Sequence, residues 1–249
     1  MPRGPFSSCW TVSPALCGLP YLEEFLRRTL PGMGDLPVYD VVLLPPAGIA
    51  AEAVKLSRQC AEPAGAEFVL TEERVYPHLS LFMAVYTPEQ RAAAVERLAG
   101  IGRRTPVIDL RADRFAGNEH GMFELFYDKS EAITALQEDV LAAVAPLRAG
   151  WRRHDPVGRV LADYRLSAPA PARDNLERYG YDEVGELFRP HITLTRFQQR
   201  DHQVDPALLP STQAFTAAFD TLALCVMGEH GTCTEIVARF TLAGAEPVS

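Results

Sequence analysis

Apolar and polar positions along the chain change period often enough to mark most of its elements. The run Val38 to Leu44 (Val-Tyr-Asp-Val-Val-Leu-Leu) reads as a buried strand closed by Pro45-Pro46, and a helical stretch follows from about Ala47 to Cys60. Two apolar runs come next, Glu67 to Leu70 and His78 to Tyr86. Thr87-Pro88-Glu89 then supplies a capping residue and a first-turn proline for a helix carrying Ala92, Val95 and Leu98 on one side. Pro106 to Phe115 and Met122 to Tyr127 alternate as a strand pair around Gly117-Asn118, and Ser130 to Leu147 is the clearest amphipathic helix.

Between Ala149 and Leu187 the periodicity fades. Ser167-Ala-Pro-Ala-Pro-Ala172 reads as a loop, Arg173 to Tyr179 as a short helix, and residues 150–187 as an inserted surface segment. Beyond it, His191 to Phe197 is a strand, Gln213 to Met227 a long strand or bent pair, and Cys233 to Leu242 alternates again after the Gly228 to Gly231 turn. Residues 1–36, rich in Pro, Gly and Ser apart from the helically spaced Tyr21 to Leu30, read as an appendage to a single domain over 37–249. Helices and strands do not alternate as a parallel sheet requires, so the fold class expected is α+β with antiparallel sheet.

Composition narrows the partners. With 249 residues and 47% hydrophobic content the chain can bury a full core. It holds no uninterrupted apolar run of the roughly 18 residues a membrane span needs, and residues 1–20 lack the apolar stretch of a signal peptide, so a cytoplasmic protein is expected. The five cysteines, at 9, 17, 60, 225 and 233, match no zinc or disulfide spacing and read as reduced thiols, with a disulfide between Cys225 and Cys233 across the turn as the minor alternative. A net charge of -8 opposes binding to long duplex nucleic acid, which relies on many lysines and arginines, and leaves room for a small phosphate ligand or a nucleic-acid end.

Two pentapeptides carry the candidate chemistry: Pro77-His78-Leu79-Ser80-Leu81 and Pro190-His191-Ile192-Thr193-Leu194. Each proline pushes the preceding residue toward an extended conformation, so each motif begins where the chain can enter a strand. Strand alternation then sets His78 with Ser80, and His191 with Thr193, on one face, while the leucines and isoleucine face the core. A solvated polar face would account for one such motif, but a near-identical pair points to function. Two imidazoles with ordinary pKa values near 6.5 suit a reaction that takes one proton and gives another, such as opening a cyclic phosphodiester. In-line displacement places them on opposite sides of phosphorus, and the Ser80 and Thr193 hydroxyls would donate to its non-bridging oxygens. Neither motif holds an acidic residue or the His-x-x-x-His spacing of a helical zinc site, so no metal and no cofactor is expected.

On these motifs the chain resembles the 2H phosphoesterase superfamily, defined by paired His-x-Ser/Thr-x tetrapeptides, and within it the LigT-like RNA 2′,3′-cyclic phosphodiesterases, also called 2′-5′ RNA ligases. The resemblance spans about Val38 to Leu242 in motif order. It implies two pseudo-symmetric lobes of antiparallel sheet with helices outside and a cleft between them, and metal-free hydrolysis of a 2′,3′-cyclic phosphate at an RNA 3′ end or on a small nucleotide, with ligase activity in reverse. His78 and His191 carry over as catalytic residues, and Ser80, Thr193 and Arg196 as phosphate ligands. Regular alternation would turn Arg196 away from His191, and a bend after Leu194 would bring it back. Where the family often has a base-stacking aromatic, this chain has Phe82 and then Met83. A monomer is expected. A non-catalytic module holding an RNA end or nucleotide phosphate in the same cleft is the alternative. His120, His154, His202 and His230 fall in turns or polar segments and read as exposed, although the turn holding His230 should lie near the second motif.

Overall fold

Strand β1 (Val38–Leu44) is apolar except for Asp40 and buried along almost its whole length, because strands pair with it on both sides. The computed structural model describes residues 36–243; the helical spacing of Tyr21 to Leu30 and the appendage, apart from Leu36, lie outside them. In chain order follow α1 (Ala47–Ala61), β2 (Ala66–Val69), β3 (Leu79–Val85), α2 (Pro88–Arg104), β4 (Ile108–Leu110), β5 (Ala112–Gly117), β6 (Met122–Tyr127) and α3 (Glu131–Val144). After a long connection come α4 (Leu161–Ser167), α5 (Ala170–Tyr179), β7 (His191–Phe197), β8 (Ala217–Phe219), β9 (Thr221–Met227) and β10 (Cys233–Thr241).

The main sheet runs β10-β9-β1-β3-β7-β6-β5, with β2 also paired to β7, and every pairing is antiparallel. This is the α+β antiparallel architecture the sequence predicts. Its lobes are not consecutive stretches of chain, however. The C-terminal strands β9 and β10 return to complete the lobe of β1 and β3, while β2 crosses to β7 in the other lobe. Hydrophobic burial explains the exchange, since α1 packs against β7 while α2 packs against β9 and β10.

Local chemistry fixes the elements. Thr87 and Gln90 form a reciprocal capping box at the start of α2, an arrangement worth about 1 kcal/mol. The stretch Pro106 to Phe115 divides at Arg111: β4 leaves the main sheet to pair with β8, and β5 returns to pair with β6. Gln213 to Met227 divides likewise, into the 3-10 turn Thr212–Phe215, β8 and β9. Residues 170–172, expected in a loop, form the first turn of α5 instead. Pro171 fits there because the first N–H groups of a helix have no intrahelical acceptor, and Gly180 ends the helix in a left-handed conformation at φ 70°. No helix among the described residues is long and apolar enough to cross a membrane.

Candidate active site

The two motif strands, β3 and β7, are neighbours in the sheet, joined through a single antiparallel pair, Leu79 with Ile192. Both of these side chains are fully buried in the core, so the flanking residues turn to the opposite, concave face. Antiparallel register then sets His78 across from Thr193 and Ser80 across from His191. The two histidines lie on the diagonal, where Cβ atoms are about 7 Å apart, a span that admits one phosphoryl group between the rings.

The same local device orients both imidazoles. His78 Nδ1 donates to the Tyr76 carbonyl at 2.7 Å, and His191 Nδ1 donates to the Arg189 carbonyl at 2.6 Å. In each case the acceptor belongs to the residue before the motif proline, whose ring holds that residue extended. With Nδ1–H committed, Nε2 is the nitrogen left to exchange a proton.

Beyond the shared pair both strands bulge at the same motif position. Val41 pairs with Phe82 and Val42 with Ser80, which leaves Leu81 extra; Phe123 pairs with Thr195 and Glu124 with Thr193, which leaves Leu194 extra. A bulge reverses the alternation of the residues after it. Met83 and Arg196 therefore return to the concave face, Met83 beside Asp40 and Arg196 beside Met122.

His78, Ser80, His191 and Thr193 line one cavity of about 730 Å³, within the usual range for a small-molecule site. Arg196 is not brought to its surface with them. That guanidinium is buried behind the wall, donating to the carbonyls of His120 at 3.1 Å and Val157 at 3.0 Å and to His230 Nδ1 at 2.8 Å. His230, expected as an exposed turn residue, is thus a buttress of the wall, held at the left-handed φ of 59° and stacked on Phe68. Phe82 is turned into the core, edge-on to Tyr181, so neither it nor Met83 offers a stacking platform.

The segment 150–187 roofs the cavity, with Asp155, Val157 and Arg159 before α4, Tyr164 from α4, Pro171 and Ala172 from α5, and Tyr181 to Glu183 after it. Six carboxylates line the cavity (Glu119, Glu124, Asp155, Asp182, Glu183 and Glu186) against two arginines, Arg159 and Arg189. Asp155 is spent within the roof, accepting from the Val157 and Arg159 amides and pairing with the Arg159 guanidinium at 2.5 Å.

These charges make the two histidines unlike. Burial, helped by the charge on His191, lowers the pKa of His78, and backbone hydrogen bonds to Tyr76 and Gly231 offset this only in part. Burial opposes the charged form of His191 as well, but Glu124, with Oε1 3.5 Å from Nε2, and Glu183 outweigh it and raise its pKa. On the same face, from the neighbouring strand β1, Asp40 Oδ2 lies 2.6 Å from Ser80 Oγ and 3.8 Å from His78 Nε2. Burial pushes the Asp40 carboxyl up to about 8, against the lowering effects of Ser80 and Arg152.

Asp40, Glu124, Glu183 and Arg152 were not singled out from the sequence. The available signal was a lone carboxylate inside an otherwise apolar strand, Val-Tyr-Asp40-Val-Val in β1 and Met-Phe-Glu124-Leu-Phe in β6. Among the described residues, no group of three or more His, Cys, Asp or Glu is placed to hold a metal ion.

Comparison with known proteins bears on the fold. The family described as "Protein of unknown function (DUF1045)" matches residues 83–236, more than half of the chain; the match takes in the second motif and begins after the first. No curated protein matches the chain. Among solved structures, E. coli LigT complexed with 3′-AMP is similar at 16% identity over 84% of this chain and 99% of its own, with a TM-score of 0.54. The protein TT0787 of Thermus thermophilus is similar at 19% identity over 84% and 100%, with a TM-score of 0.51. A protein described as a phosphoesterase is similar at 15% identity over 84% and 99%, with a TM-score of 0.53. At these identities the likeness is one of fold: this chain has a LigT-like architecture.

Proposed function

The chain belongs to the DUF1045 family, and from its LigT-like fold and paired motifs we propose that it is a metal-independent phosphodiesterase that hydrolyses a 2′,3′-cyclic phosphate. The observation that carries this reading is the diagonal placement of His78 and His191 across one cavity, each with Nδ1 fixed and Nε2 left for proton transfer.

Their unlike environments assign the roles. His78, disfavoured as a cation by burial, is the base: it takes a proton from water as the water oxygen bonds to phosphorus. His191, kept protonated by Glu124 and Glu183, is the acid: it gives its proton to the departing ribose oxygen as the P–O bond breaks. Ser80 and Thr193 donate to the non-bridging oxygens, where charge grows in the transition state. Arg196 supports the wall rather than the phosphate.

The acidic lining favours a substrate with one phosphodiester and few further charges. A long single strand would need a basic groove, whereas carboxylates outnumber arginines along this cavity. A cyclic mononucleotide, or the terminal nucleotide of a short RNA, fits both volume and charge; the crystal complex of LigT with 3′-AMP shows that a related fold holds a mononucleotide.

The test is turnover of 2′,3′-cyclic nucleotides, alone and at the end of short RNAs, in the presence of chelator. His78→Ala and His191→Ala should each lower the rate by about 10²–10⁴ while circular dichroism stays that of the wild type. Wild-type turnover by either variant on every cyclic phosphate would falsify the two-histidine mechanism. Tight binding of an intact cyclic nucleotide without hydrolysis would show a binding module instead.

A further inference from the structure

Asp40 is a carboxyl group in a place that suits a neutral acid better than an anion. It is fully buried, and its Oδ1 has no hydrogen-bond partner. Its neighbours on β1, β9 and β10, namely Val42, Cys225 and Cys233, form a small apolar cluster beside the motif strand β3, on the face that carries Ser80. From β3 it meets Ser80 and His78. From the roof it faces Arg152, Tyr181 and Glu183, and from β7 His191. Arg152, the guanidinium that faces it, makes no ion pair with it: it donates to Met83 Sδ at 3.4 Å, lies over the Tyr181 ring, and leaves its buried Nε and Nη2 without partners.

The direction of the 2.6 Å contact between Asp40 and Ser80 therefore matters. An ionised Asp40 can only accept, so it would take the Ser80 hydroxyl hydrogen and set a negative charge one hydroxyl away from the bound phosphate. A neutral Asp40 can donate, which leaves the Ser80 hydrogen free to point into the cavity.

We propose that Asp40 is a positioning residue that works as a neutral carboxylic acid, donating to Ser80 Oγ so that the Ser80 hydroxyl is turned outward to donate to a phosphoryl oxygen. Nothing is transferred in this arrangement; the proton stays on Asp40 and only the order of donors is set. Burial, which holds the carboxyl protonated up to about pH 8, agrees with that order. The inference rests on the reading of the cavity as a phosphate site, though not on its being catalytic.

Sulfate, whose charge is constant across the range, is the probe. Its dissociation constant is measured by calorimetry from pH 6 to pH 9 for the wild type, Asp40→Asn and Ser80→Ala. The asparagine amide can donate to Ser80 Oγ as the neutral acid does, so Asp40→Asn should bind sulfate within about twofold of the wild type at pH 6. At pH 9, one unit above the midpoint, about a tenth of Asp40 remains neutral and the wild type should be about tenfold weaker than Asp40→Asn. If Asp40→Asn does not fold, Ser80→Ala serves: with no hydroxyl to direct, its affinity should fall less between pH 6 and pH 9 than that of the wild type. Infrared difference spectra supply an independent readout, since the wild type should show a neutral carboxylic acid band at pH 7 that is lost near pH 8 and is absent from Asp40→Asn. Parallel pH profiles, no sulfate binding at pH 6, or a carboxylate band for Asp40 at pH 7 would each overturn the inference. Failure to hydrolyse any cyclic phosphate would defeat the proposed function and leave these titrations standing.

Discussion

Replacing Asp40 by asparagine should stabilise the fold, and by more the higher the pH. The carboxyl titrates at about 8 in the folded chain against 3.8 when unperturbed. Between those values the native state holds a proton that the unfolded state has released, so the stability it contributes is present in acid and lost as pH rises. Each pH unit in that window removes about 1.4 kcal/mol from the wild type. Asparagine does not titrate, so the stability difference between variant and wild type should grow by about 3 kcal/mol from pH 5 to pH 7. With its nitrogen in the Oδ2 place beside Ser80, the asparagine amide adds one unpaired buried N–H to the Oδ1 that is unpaired already, a cost that shifts the difference without tilting it. Urea unfolding of both proteins at pH 5, 6 and 7 measures the tilt. Midpoints that move in parallel over this range would refute the claim that Asp40 is neutral in the native state.

Two further outcomes follow from the site's chemistry. Turnover should rise with pH as His78 loses its proton below the ordinary histidine value of 6.5, and fall as His191 loses its own above it, giving a broad plateau; removing Glu124 by substitution with glutamine should pull in the alkaline limb alone. Arg196→Ala should lower stability by about 3 kcal/mol, because the His120 and Val157 carbonyls lose their buried donor; an unchanged urea midpoint would show that the guanidinium is free for another task.

What could be read in the sequence was whatever a single segment determines by itself. The paired pentapeptides fix an extended entry, an imidazole beside a hydroxyl on one face and an apolar residue on the other, and those features depend on proline geometry and strand alternation alone. The bulges at Leu81 and Leu194 depend on partner strands, so nothing within either segment announces that Met83 and Arg196 return to the concave face. The exchange of β2 and β9 between lobes is likewise a property of packing. Asp40 and Glu124 were hidden by the apolar runs around them, which mark burial so strongly that the one polar residue in each is easily passed over. The roof was obscured for a different reason. Its prolines resemble loop punctuation, whereas at the start of α5 they satisfy the constraints of a helix's first turn.

The central claim, that His78 and His191 face one phosphoryl group, is tested most directly by long-range ¹H–¹⁵N NMR of the imidazoles during titration with inorganic phosphate. Both Nε2 signals should shift together with one dissociation constant and one equivalent bound, while both Nδ1 atoms stay protonated. A shift confined to one ring, or two rings responding with different affinities, would mean that the two histidines do not share a ligand.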